Sequence, residues 1–228
     1  MEQKSLEDQL TTMENQLKDG TLSIKLNATI SPEHNDFFNA VAKIKKYTSI
    51  STLSTTKFAI AKEDAIINKT ITDYPFKQGD VLSNEGTLIF QSYFNAVKNE
   101  KFNSIEIADY YLNEINKLNV TEETKARCNA FFSFHKDILL YLYLEDDVIT
   151  SIKNEEIMSP TAAYNFGGHS RGGEWIPACN SRGCHDCCMY RKAYHLEYYA
   201  TFIERVEYIV GLPGSFLWDV ADCAFQCI

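Results

Sequence analysis

Six of the seven cysteines fall within 49 residues near the C-terminus, as Cys179-x4-Cys184-x2-Cys187-Cys188 followed by Cys223-x3-Cys227. Thiols at this density support three chemistries. As disulfides they cross-link a Gly-rich stretch too poor in apolar surface to order itself, at ~2–4 kcal/mol per bond. An even number in a compact segment fits such a framework, and it requires an oxidising compartment. As thiolates they can hold structural zinc, for which Cys184-x2-Cys187 is a half-site. Cys223 and Cys227 would complete that site, or Cys179 and His195 would. As redox thiols, Cys184 and Cys187 sit at a helix start, where the helix dipole and Arg182 lower a thiol pKa. A thioredoxin-like site, however, needs a preceding strand and a βαβ unit, and residues 160–183 read as Gly-rich and irregular.

Disulfides fit best, with Cys179, Cys184, Cys187, Cys188, Cys223 and Cys227 as candidates and Cys128 left over as a buried, inert thiol. Zinc, if bound, would take Cys184, Cys187, Cys223 and Cys227, and would place the protein in the cytoplasm. No other cofactor is expected.

Two resemblances attach to the same region. Cys184-x3-Cys188 and Cys223-x3-Cys227 resemble the twin Cys-x3-Cys helical hairpins of small disulfide proteins, on these four residues and with 34 residues between the halves. Gly167-Gly168 ahead of a cysteine-rich tail resembles the double-glycine processing site of exported bacteriocin-like peptides. That likeness implies, as an alternative function, a secreted toxin whose tail over residues 188–228 acts on membranes.

The elements that must position these cysteines read as helices. Ser31-Pro32-Glu33 combines a hydroxyl cap, a proline at the first helical position and an acid in the first turn, and Phe37, Val41 and Ile44 follow at helical spacing. A second helix follows Ser83 with Ile89, Tyr93 and Val97 on one side. A third begins near Ser104 and carries Ile107, Tyr110, Tyr111, Ile115 and Leu118. Thr121 caps a fourth, with Glu122 and Glu123 at its positive end, which buries Cys128, Phe131, Phe132, His135, Ile138 and Leu142 and stops before Glu145. The third and fourth are antiparallel neighbours because so few residues join them. His135 is expected to be a satisfied core residue. The segment from Ile60 to Asp80 is ambiguous between helix and strand, with Thr70-Ile71-Thr72 as its short-strand candidate. From Cys187 to Val210 there is no Gly or Pro, and Met189, Leu196, Tyr199, Ile203, Val206 and Val210 form one apolar stripe, which predicts a single long helix. Gly211–Ser215 ends it, and Phe216 to Ile228 forms a short terminal helix.

The fold class is therefore all-α, mainly a helical bundle with at most one short strand pair. Composition shifts near Pro160, where lysine gives way to arginine and glycine becomes frequent. This marks a helical body over 1–160 and a cysteine-rich C-terminal module over 161–228.

A net charge of −9 argues against nucleic acid or an anionic membrane as partner, since both reward Lys/Arg excess. The longest apolar run, Ile138 to Leu144, is far short of the ~20 residues a membrane-crossing helix needs. Residues 1–8 lack the apolar core of a secretory signal, so export would require that a signal has been removed. No phosphate loop, Gly-x-Ser-x-Gly or His-Glu-x-x-His occurs, and His169 and Glu174 in the Gly-rich stretch lack a partner motif. The expectation is an exported, non-enzymatic structural or interaction protein whose partner is another protein.

Reach limits the cysteine pairing. A straight helix over 188–210 is about 34 Å long at ~1.5 Å per residue. A helical tail folded back along it would set Cys223 and Cys227 beside Tyr198 to Phe202, beyond the ~7 Å that bonded Cα atoms tolerate from Cys188. Cys223 or Cys227 is therefore expected to bond Cys179 or Cys184. An extended tail would instead restore the hairpin-like pairing of Cys188 with Cys223.

Overall fold

The computed structural model describes residues 4–24, 28–48, 56–77, 79–98, 102–144, 169–171, 174–176 and 184–226. Nine α-helices lie among them: α1 (Leu6–Asp19), α2 (Asn35–Thr48), α3 (Thr56–Asp73), α4 (Asn84–Val97), α5 (Ser104–Glu114), α6 (Glu122–Leu144), α7 (Cys184–Tyr198), α8 (Phe202–Gly211) and α9 (Gly214–Gln226). Two three-residue strands, β1 (His169–Arg171) and β2 (Glu174–Ile176), form one antiparallel pair.

Local chemistry accounts for the helix starts. Ser83 Oγ accepts the Gly86 N–H at 3.0 Å and opens α4. Asn103 and Glu106 form a reciprocal capping box at α5, and Thr121 Oγ1 accepts the Thr124 N–H at 3.3 Å at α6. The start at Ser31 differs from expectation. Pro32–His34 is a 3₁₀ turn and Ser31 makes no side-chain cap. Instead its N–H donates to Asp137 Oδ2 at 3.0 Å, and His34 Nδ1 pairs with the same oxygen at 2.6 Å.

Helix α1 was not anticipated. Ser5 caps it through the Asp8 N–H, Leu10, Met13 and Leu17 bury one face, and Gly20 closes it in the left-handed region at φ 65°. Residues 70–72, the short-strand candidate, belong to α3. There the Thr70 hydroxyl bonds the Ile66 carbonyl one turn back, which satisfies a β-branched residue inside a helix.

The core is built on aromatic rings. Phe90, Tyr93, Tyr111, Phe131 and Phe132 from α4, α5 and α6 meet largely edge-to-face at 5.0–6.4 Å. Such pairs add ~0.5–1.5 kcal/mol each beyond area burial. A second set, Phe37, Phe38 and Phe134, receives Phe216 of α9. Side chains from both sides of Pro160 thus share one buried cluster. The 1–160/161–228 boundary itself falls in residues outside the described set.

The long helix expected over 188–210 is two helices. α7 ends at Tyr198 and α8 starts at Phe202, opened by a Thr201–Glu204 capping box in which Thr201 N–H donates to Glu204 Oε2 at 2.6 Å. Arg205 completes the corner: Nε donates to the Leu196 carbonyl at 3.0 Å and an Nη to the Glu197 carbonyl at 2.9 Å. These carbonyls would otherwise be orphaned at the end of α7. Its guanidinium also lies 4.6 Å above the Phe94 ring. The apolar stripe accordingly breaks at Ile203, which is 72% exposed.

Candidate functional site

The break in the long helix redirects the tail. α9 runs antiparallel along α7, in a register fixed by Cys188 with Cys223 and by Lys192 with Asp219 one turn further on (2.9 Å). Lys192 also meets Asp222 at 2.8 Å, and His185 Nε2 lies 3.0 Å from the Val220 carbonyl.

Cys188 and Cys223 are disulfide-bonded, with Cα atoms 5.5 Å apart. This overturns the expectation that Cys223 would avoid Cys188. The tail is helical, as predicted; the false premise was the straight partner helix. With the corner at Tyr199–Thr201, α9 folds back along α7, and Cys223 arrives beside the first turns of α7.

Cys187 is disulfide-bonded as well, so two of the four zinc candidates, Cys187 and Cys223, are not thiolates here. Cys179 and Cys227, the side chain of Cys184, and Gly167-Gly168 lie outside the described residues. Among the described residues no cluster of three or more metal-donor side chains forms. The stretch read as irregular contains the β1–β2 pair, in which His169 faces Ile176 and Glu174 faces Arg171, so those two candidates are not opposed. Cys128 is buried and free, and burial raises its thiol to about 12.

Between α6, α7, α8 and α9 the structure forms an open cleft of about 770 Å³. α6 supplies His135, Ile138, Leu139 and Leu142, one helical face at i, i+3, i+4 and i+7. Met189 and Leu196 of α7 and Phe216 of α9 add apolar wall, and the Cys188 side chain borders it. Buried lining residues make the inner wall. His195, Glu204, Glu207 and Trp218 are exposed and make the rim.

Two titratable side chains on the inner wall are each 1% exposed, His135 and Glu197. Contrary to expectation, His135 is not satisfied. It stacks on Phe131 at 5.0 Å and meets Tyr93 and Tyr208 edge-on, yet neither ring nitrogen finds a hydrogen-bond partner among the described residues. Burial lowers it to about 3, so the imidazole is neutral. Glu197 was missed altogether in the sequence, where it looks like an ordinary surface acid between Leu196 and Tyr198. Burial raises its carboxyl to about 8, opposed by the Ser104 hydroxyl and by Arg205. Among the described residues no donor lies within bonding distance of its oxygens, so the Ser104 influence is exerted from longer range.

Two other polar sites serve the fold. Asp137 is fully buried, and its oxygen holds both Ser31 and His34, fastening the 3₁₀ turn onto α6. Glu85 Oε2 accepts from Thr124 Oγ1 at 2.8 Å, Thr121 Oγ1 at 2.9 Å and Thr121 N at 3.1 Å. These bonds hold its carboxyl below the usual range and fill the N-terminus of α6 with the protein's own anion.

These features define an all-α, disulfide-stapled protein with a cleft whose inner wall is largely apolar and whose rim is charged. Comparison with protein-family models, with curated proteins and with solved structures returns no match for this chain.

Proposed function

We propose that this is an exported, non-catalytic binding protein whose cavity between α6, α7, α8 and α9 receives a small ligand. The cavity carries the reading: about 770 Å³ lies within the ~300–1,000 Å³ typical of ligand pockets, and its wall is mostly apolar with a few polar groups converging on it. The Cys188–Cys223 bond supports the export part, because such bonds persist in oxidising compartments. It also fastens α9, and with it one wall of the cavity, to α7.

The test is titration of the oxidised full chain with N-phenyl-1-naphthylamine, a neutral apolar fluorophore. One saturable site is expected, weakened at least tenfold by Leu139→Trp, which fills the inner wall. No saturable binding would overturn the reading. For export, cells lysed in alkylating reagent should yield Cys188 and Cys223 unmodified before reduction; alkylation of both would overturn it.

A second reading, a membrane-active tail, is supported by Trp218, 75% exposed on α9, and Ile203, 72% exposed on α8. Dye release from vesicles by the full chain at micromolar concentration tests it, and intact vesicles would count against it.

A further inference from the structure

We propose that the cleft and the tryptophan on its rim form a self-complementary surface through which two copies of this chain pair about a twofold axis, each Trp218 entering the cleft of the other copy. This needs the same cleft as the small-ligand reading but not the ligand. Trp218 is 75% exposed on α9 and lines a cleft whose inner wall is the apolar set Ile138, Leu139, Met189 and Phe216. A knob and a hole therefore lie side by side on one face. A twofold axis between them satisfies both at once, because an isologous interface uses the same patch on each copy. An indole is smaller than the drug-sized ligands that clefts of this volume hold, and tryptophan is among the side chains that dominate interface energies.

The charges on the rim favour a second copy over a partner of one sign. α7 contributes Arg191 and Lys192, and α8 contributes Glu204 and Glu207. Lys192 also offsets Asp219 and Asp222 of its own α9, at 2.9 and 2.8 Å. The chain as a whole carries −9, which drives copies apart elsewhere on the surface, yet on this face cations and carboxylates are mixed. A strongly cationic or anionic partner would meet repulsion from part of the rim. A second copy turned about the twofold axis can set its α8 carboxylates against the α7 cations and its α7 cations against the α8 carboxylates. Glu207 is exposed and has no ion-pair partner among the described residues, so it can meet a cation of the other copy without breaking an internal bond.

The experiment is sedimentation velocity on the oxidised full chain from about 1 to about 100 μM. A species of twice 26.0 kDa should grow with concentration. Trp218→Ala should weaken dimerisation about a hundredfold, because a loss of about tenfold at one tryptophan enters twice in a symmetric pair. Leu139→Trp, which fills the hole, should weaken it as well. Mixing the variants separates a knob in a cleft from a merely adhesive surface. Trp218→Ala keeps the cleft and Leu139→Trp keeps the knob, so together they should form a mixed dimer with one intact contact, more readily than either pairs with itself. Circular dichroism confirms that each variant is folded. A chain that stays monomeric at the highest concentration, a dimer indifferent to Trp218→Ala, or a mixture no more associated than its components would each overturn the proposal. Saturable binding of N-phenyl-1-naphthylamine by a chain that never dimerises would leave the small-ligand reading standing and overturn the pairing. A dimer that excludes the fluorophore would support the pairing and overturn the small-ligand reading.

Discussion

Glu197→Gln should change the pH profile of stability more than any surface substitution, and its sign follows from burial. The Glu197 carboxyl moves from 4.5 to about 8 on folding. Between those values the folded chain keeps a proton that the unfolded chain releases, so stability falls as pH rises, by ~1.4 kcal/mol per pH unit. The ceiling is on the order of 5 kcal/mol, present below about 4.5 and lost as pH passes 8. His135 works in the opposite sense. Burial lowers it from 6.5 to about 3, so the unfolded chain takes up a proton that the folded chain refuses, and stability falls as pH drops through that interval. From pH 6.5 down to 4.5 the two slopes oppose and cancel. Wild type should therefore show a plateau there, a decline toward pH 8 from Glu197 and a decline toward pH 3 from His135. Glu197→Gln keeps the shape and removes the titration, which abolishes the alkaline decline and leaves a slope rising to about pH 6.5. Urea denaturation at half-unit pH steps, read as the difference between variant and wild type, isolates the effect from every other titrating group. A difference that stays flat between pH 5 and 8 would refute the assignment of Glu197 as a neutral buried acid.

Two further substitutions probe the C-terminal helices. Cys188→Ala with Cys223→Ala removes a cross-link spanning 35 residues, and the loop-entropy relation gives a loss of about 4 kcal/mol. At roughly 2–4 °C per kcal/mol this is a fall in melting temperature of about 8–16 °C; a loss under about 1 kcal/mol would show that packing alone holds α9. Arg205→Ala removes two charge-assisted bonds to the end of α7 and should cost about 3 kcal/mol by urea denaturation. Because Arg205 favours the ionised carboxylate, the Glu197 carboxyl should also rise further, extending the alkaline decline to higher pH.

Much of the body was legible because its signals are local. A serine at 83 and a threonine at 121 each sit just before a periodic apolar run and each caps a helix, and the helix expected to begin near Ser104 is capped by Asn103. The all-α class followed from those caps and from the 3.6-residue spacing of rings such as Phe131 and His135. Helix α1 carries the same kind of signal, Ser5 with Leu10, Met13 and Leu17 behind it, but its many charges and single-sided burial make it resemble a solvated segment. The strand candidate at Thr70 failed for a different reason: β-branched residues favour strands only weakly, and an intrahelical hydroxyl bond with the packing of α3 outweighs that preference.

The candidate site was far less legible, because it depends on a corner that no glycine or proline marks. Thr201 and Glu204 are three apart and form a capping box, a signal present in the sequence and masked by the apolar stripe running through Ile203. Arg205 then stabilises the break with bonds back to residues 196 and 197 that only a folded corner brings into reach. Everything at the site follows from that corner. Had the helix run straight, Cys223 would have lain too far from Cys188 to bond it. α8 would have continued the line of α7, and the cleft between α6, α7, α8 and α9 would not form. The cavity, the neutral His135 and Glu197 on its wall, and the Cys188–Cys223 bond are thus consequences of one capped break. A Thr201→Ala, Glu204→Ala double variant should therefore weaken fluorophore binding and lower thermal stability together, since both rest on the same turn.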